Sequence, residues 1–227
     1  MRVAPPAPYK WEMARRPPIP LPSHPDVTID SDTRVWSGMF PLELIKFRHR
    51  RFDGTMSAVR TWELWRRGPA AAMVPYDPWS DSVVLIEQFR LPALAAGLDP
   101  VLVELPAGLC DAGETAETTI RREIQEEMRL QADLLEHVGK FLLTPGGADE
   151  CCDVFVGRVR APEAGTDGIA GHAGEAAESE DIRTRVWTAD AAIAAAFAGR
   201  FTNIVTAVGL FWLASRRNEL RQQWMRP

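Results

Sequence analysis

The chain has 227 residues, 46% of them hydrophobic and 25% charged, enough to bury a core for one main domain of about 190 residues plus an arm. Its net charge of −5 comes without a basic patch, which argues against a nucleic-acid partner. The longest apolar run, Ala191 to Ala198, is too short to span a bilayer, and the N-terminus lacks a secretory hydrophobic segment. The expected location is therefore cytoplasmic, with no membrane partner. Three cysteines, two of them adjacent at Cys151 and Cys152, suit neither a disulfide framework nor a zinc finger and read as small strand hydrophobes.

In chain order, residues 1–35 carry eight of the eighteen prolines, so most of this arm can form neither helix nor central strand and is read as extended. Met39 to Phe52 and Thr55 to Arg67 read as two strands around an Asp53-Gly54 turn, a hairpin signal. Further strands are expected at Ala70–Pro75, Ser82–Arg90, Val101–Leu105, Glu136–Leu143 and Val154–Val159. An acidic stretch of small residues, Ala161 to Asp181, precedes a short strand at Ile182–Trp187. Helices are expected at Ala189–Ala198 and Asn203–Arg221. The four histidines, His24, His49, His137 and His172, show no ligand spacing.

The chemistry concentrates between Gly108 and Leu130. From Thr115 to Leu130 the residues favour a helix in which Ala116, Ile120, Ile124 and Met128 form one apolar stripe. Glu123, Glu126 and Glu127 share another face. Like charges at i, i+3 and i+4 repel, so a helix gains nothing from three glutamates there unless a cation sits among them. Hard oxygen ligands point to Mg2+, with Mn2+ as a substitute.

This stretch resembles the box of the Nudix family: Gly, five residues, Glu, seven residues, Arg-Glu, an aliphatic residue, any residue, Glu-Glu, any residue, Gly, an aliphatic residue. Gly108, Glu114, Arg122, Glu123, Ile124, Glu126, Glu127 and Leu130 stand at those positions. Arg129 replaces the final glycine, where a Cβ in a left-handed turn costs roughly 1 kcal/mol. The resemblance narrows to the ADP-ribose pyrophosphatase branch through Phe47-Arg48-His49-Arg50, Val84 to Arg90, Glu104-Leu105-Pro106-Ala107-Gly108 and Thr144 to Glu150, with Glu178 to Arg183 and Asn203 to Trp224 also matching.

The resemblance implies an α/β fold, a Nudix-type α/β/α sandwich with a mixed β-sheet, plus an N-terminal antiparallel β-hairpin used in dimerisation. The division expected is 1–35 for the arm, 36–68 for the hairpin subdomain and 69–227 for the Nudix hydrolase domain. It implies Mg-dependent hydrolysis of ADP-ribose to AMP and ribose 5-phosphate by a homodimer acting on a small-molecule nucleoside diphosphate sugar. Alternatives are another such sugar, GDP-mannose for example, or a nucleotide sensor that does not cleave.

Residue by residue, Glu123, Glu127 and Glu126 would hold metal, with the Ala107 carbonyl and Glu180 as further contacts. Arg122 would orient the glutamates, with an ordinary i, i+4 pairing to Glu126 as its plain reading. Gly108 and Glu114 would shape the loop. Glu178 would activate water from a glycine- and alanine-rich lid spanning Gly165 to Ala177. Arg90 would grip the diphosphate, Glu150 and the Gly146-Gly147 backbone would contact the terminal ribose, and Trp62 would stack on adenine.

Overall fold

A computed structural model describes residues 20–174 and 181–225, which fall into two compact units. The first joins the chain up to Gly68 with Leu142–Glu150. The second takes Pro69–Phe141 and Cys151 onward.

In the first unit, β1 (Val27–Ser37), β2 (Pro41–His49) and β3 (Arg60–Trp65) form an antiparallel sheet with β2 in the middle. β1 runs across the expected arm boundary at residue 35. It begins just past Pro25, where the prolines that would remove ladder donors end. β2 buries Pro41, Glu43 and Ile45 in strict alternation, the mark of a sheet with one covered face. The buried Glu43 is held between Arg34 at 3.2 Å and Arg66 at 3.1 Å. The Asp53-Gly54 turn is present but wider than a two-residue hairpin: β2 ends at His49 and β3 starts at Arg60.

The segment Leu142–Glu150 joins this sheet from far along the chain. Trp65 N–H donates to the Gly147 carbonyl at 2.8 Å and Asp149 N–H to the Trp65 carbonyl at 3.2 Å. Asp149 also accepts from the backbone of Arg67 and Gly68, at 2.6 and 3.0 Å.

The second unit is built on an eight-stranded mixed sheet. β4 (Pro69–Asp77) lies parallel to β9 (Cys151–Arg158) and antiparallel to β5 (Ser82–Phe89) and to β7 (Ala107–Leu109). β6 (Val101–Glu104) and β11 (Ile182–Thr188) pair with β5, β10 (Ile169–Ala173) pairs with β11, and β8 (Leu134–Leu142) borders β9. A short helix, α1 (Leu91–Ala95), carries Pro92 in its first turn and lies between β5 and β6. Helix α2 (Ala116–Met128) covers one face, burying Ile120, Ile124 and Met128 with Met73, Val84, Ile86 and Phe155. Helices α3 (Ala189–Phe197) and α4 (Ile204–Trp224) cover the other, packing Leu210 and Leu213 on Val74, Leu85 and Val156. With both faces covered, β4 is apolar almost without alternation. This is the expected α/β/α sandwich with a mixed sheet, and the expected strands and helices lie within a few residues of their observed ends.

Part of the expected lid is not loose: Ile169–Ala173 forms β10, an edge strand paired with Arg183 and its neighbours. Glu178 and Glu180 lie outside the described residues.

Candidate active site

Strand β7 fixes the front of the site. Ala71 pairs with Gly108 and Ala72 with Ala107, and the buried Cys110 donates its N–H to the Pro69 carbonyl at 2.9 Å. The loop then turns through Gly113, whose φ of +89° suits a residue without Cβ, and α2 starts on Thr115. The Thr115 hydroxyl accepts from Thr118 N–H at 3.1 Å, an N-cap that satisfies one of the helix's orphan donors.

Glutamates of α2 sit at graded depth. Glu127 is 3% exposed, and its Oε2 accepts the Ala107 N–H at 3.2 Å. The Glu123 side chain is 14% exposed and lies against Gly108, where a Cβ would overlap its carboxylate. Only a glycine lets strand and carboxylate approach this closely. Glu126 is 42% exposed.

Arg122 ties the cluster together. Its Nε and Nη2 donate to the two oxygens of Glu114, both at 3.1 Å, while Nη1 donates to Glu123 and to Glu126, both at 2.9 Å. The plain reading of Arg122 as a partner of Glu126 is thus one contact of three. Glu114 also accepts from Asp111 N–H at 3.1 Å and from the buried Thr119 hydroxyl at 2.9 Å. Arg122 first, then those two donors, holds the Glu114 carboxyl at about 2. The same contacts push the Arg122 guanidinium further into its charged form.

Helix α2 ends on Arg129 at φ 56°, ψ 30°, so the left-handed turn is kept without glycine. Arg129 N–H reaches the Gln125 carbonyl and Leu130 N–H the Ile124 carbonyl, each at 3.1 Å.

The donor set suits a hard divalent cation: three carboxylates on one helix face, one seated in a cradle that a Cβ would fill, and one guanidinium for at least three acidic partners. Among the described residues no three acidic, histidine or cysteine side chains converge into a ready cage.

Sequence reasoning missed the support of Arg90. Its Nε donates to Glu104 at 2.8 Å, and Glu104, 2% exposed, also accepts from Asn203 Nδ2 at 2.7 Å. Asn203 in turn caps α4 through Val205 N–H and Thr206 N–H. A lone carboxylate at the end of the apolar strand Val101–Glu104 was the available signal. Thr119, fully buried in the helix beneath Glu114, was missed as well.

The other sequence-derived residues gather in the first unit. Trp62 Nε1 donates to the Gly146 carbonyl at 2.9 Å, and the Arg60 guanidinium lies 5.2 Å from its ring centre. Trp62 and Gly146, together with Leu42, Thr61, Glu63, Trp65 and Gly147, line an open cavity of about 660 Å³. Glu150 is engaged by Arg67 Nε and Nη2 at 2.9 and 3.1 Å.

Residues 66–201 match the model of the NUDIX domain, and the chain belongs to that family. It is 38% identical over 199 residues to the ADP-ribose pyrophosphatase of Escherichia coli strain K12, covering 88% of this chain and 93% of that one. A GDP-mannose pyrophosphatase of Yersinia enterocolitica is 33% identical over 118 residues, covering 52% of this chain and 61% of that one. The solved structure of an ADP compounds hydrolase has the same fold, with a TM-score of 0.61 at 21% identity over 89% of this chain and 98% of that one.

Proposed function

We propose that the chain hydrolyses the diphosphate of ADP-ribose to AMP and ribose 5-phosphate, with Mg2+ as cofactor and Mn2+ able to replace it. The observation that carries this reading is a complete set of box glutamates, Glu114 before α2 and Glu123, Glu126 and Glu127 on it, in a chain similar over nearly its whole length to an ADP-ribose pyrophosphatase. A diphosphate repels a nucleophile until its charge is neutralised, and water is a poor nucleophile until it loses a proton. Bound among Glu123, Glu126 and Glu127, a divalent cation would supply both effects.

The chain's own groups take the remaining roles. Glu127 and Glu123 are proposed as the firmest ligands because burial and the Gly108 cradle fix them, with Glu126, the Ala107 carbonyl and Glu180 as further donors. Arg122 and Glu114 keep the carboxylates in register. Arg90, its guanidinium plane set by Glu104, is proposed to grip a diphosphate oxygen. Trp62 is proposed to stack on the base, with Glu150, Gly146 and Gly147 toward the ribose. Glu178 is proposed as the base that deprotonates water.

The shorter similarity to a GDP-mannose pyrophosphatase supports a second reading, since the box addresses the diphosphate and not its two ends. Product analysis on ADP-ribose and GDP-mannose with Mg2+, for the native chain and Glu127→Gln, separates the two. Preferred turnover of ADP-ribose, lost in the variant, is expected. Turnover of GDP-mannose alone would overturn the substrate, and no turnover of either would leave a nucleotide sensor.

A homodimer through the N-terminal sheet is part of the same proposal. Ten of eleven β1 residues are exposed, and Val27, Ile29, Val35 and Trp36 among them are apolar. A three-stranded sheet with so much apolar surface in water is a poor stopping point for a monomer. Sedimentation of native chain and Val35→Glu is expected to give a dimer and a monomer; a native monomer would contradict it.

A further inference from the structure

We infer that Arg122 is a resident counter-cation that the metal must displace, so that metal loading is an exchange and not a simple filling. The inference rests on the reading of α2 as the metal-holding element. In this structure one guanidinium is spread over three carboxylates: Nε and Nη2 on Glu114, Nη1 on both Glu123 and Glu126. The Nη1 bonds stand on two of the side chains that a divalent cation would take. Those carboxylates are gathered around Arg122 and not into a cage of their own.

The asymmetry of the contacts makes an exchange feasible. Glu114 grips Arg122 in a fork, the strong two-bond geometry of a guanidinium on a carboxylate, and is itself anchored by Asp111 N–H and the Thr119 hydroxyl. That anchorage does not involve Glu123 or Glu126. Nη1 can therefore give up both bonds while the fork retains the side chain, and the positive charge stays close by. Without Arg122, like charges at i, i+3 and i+4 would face one another on α2 whenever the cation is absent. The arginine stabilises the empty site and, by the same charge, weakens the loaded one.

A competing cation and a purely orienting one change metal affinity in opposite directions. If Arg122 only aligned the glutamates, its removal would weaken metal binding. As a competing cation, its removal tightens it. Mn2+ titrations of substrate-free protein, followed by electron paramagnetic resonance, are run on the native chain, Arg122→Gln and Arg122→Lys. Arg122→Gln is expected to bind Mn2+ roughly three- to tenfold more tightly, the scale of a unit charge acting on a divalent ion several ångströms away in a wet site. It is also expected to melt lower than native without metal and to regain more on metal addition.

Arg122→Lys keeps a charge but cannot span Glu114 and two helix carboxylates together, so it binds at least as tightly as native. It decides the matter should Arg122→Gln fail to fold. Weaker Mn2+ binding by either folded variant overturns the inference. A native chain that binds no Mn2+ overturns the metal reading itself, a result distinct from the first.

Discussion

Two guanidinium-centred networks in the larger unit use the same chemistry to different ends. Around Asp81 the charges balance: Arg217 and Arg221 face Asp81 and Asp190, with Tyr76 donating its hydroxyl to Asp81 at 2.7 Å. This network ties α4 to the β4–β5 turn. Around Arg122 the sharing among the described residues is uneven: one guanidinium meets Glu114, Glu123 and Glu126, with Asp111 at 4.0 Å. An evenly shared network suits a structural tie, whereas carboxylates gathered on one guanidinium suit a site that takes up a further cation. The contrast sets a structural ion-pair cluster beside a candidate active site, and each side of it can be perturbed.

The largest effect is expected on the Arg122 side. Glu127→Gln keeps the shape of a buried side chain and its contact to Ala107 N–H, so folding survives while ADP-ribose turnover falls by about 10³-fold, in the range seen when one transition-state charge stabiliser is removed. Steady-state kinetics with Mg2+ measures it. Gly108→Ala is expected to push Glu123 out of its cradle at about 1–3 kcal/mol of stability. Thermal melting reads that cost, and a parallel loss of metal affinity shows that the cradle serves the site.

On the balanced side, Asp81→Asn is expected to cost about 1–3 kcal/mol, the penalty of leaving hydrogen-bonded charged partners short of an acceptor, with kcat unchanged. Its pH dependence follows from the direction of the Asp81 shift. Hydrogen bonds from Arg217, opposed by burial and helped by Tyr76, hold its carboxyl below the usual carboxylate range. A carboxyl depressed in the folded state contributes stability that is full above its unfolded value of about 3.9 and is lost as pH falls through the folded one. Denaturant melts from pH 5 downward should therefore fall more steeply for the native chain than for Asp81→Asn. The smallest effect is Arg129→Gly, a gain of about 1 kcal/mol or less from relieving a left-handed non-glycine cap, with the site unaffected.

How much of this was legible in the sequence depends on whether the signal is local. Helix α2 was readable because Ala116, Ile120, Ile124 and Met128 repeat at helical spacing in a stretch of helix-favouring residues. The apolar strands β4 and β5 were readable because both faces are buried. The strand β1 was not, because Val27-Thr28-Ile29-Asp30-Ser31-Asp32 sits beside a run of prolines and is too polar to announce a sheet. β10 was hidden by Gly171 and two alanines, residues poor in strand propensity. The joining of Thr144–Glu150 to β3 spans some eighty residues, and no local pattern encodes such a pairing. At the site, spacing gave which glutamates share a face of α2, but not their different burial or the division of Arg122 among three partners, which follow from the approach of β7.

The most direct test of the contrast is the thermal shift on adding Mg2+ to the native chain, Glu127→Gln and Asp81→Asn. A ligand that binds only the folded state raises its stability by about 2.7 kcal/mol at a hundredfold excess over Kd. That rise is expected in the native chain and in Asp81→Asn, despite the lower starting point of the latter, and is expected to disappear in Glu127→Gln. An equal rise in all three proteins would contradict it.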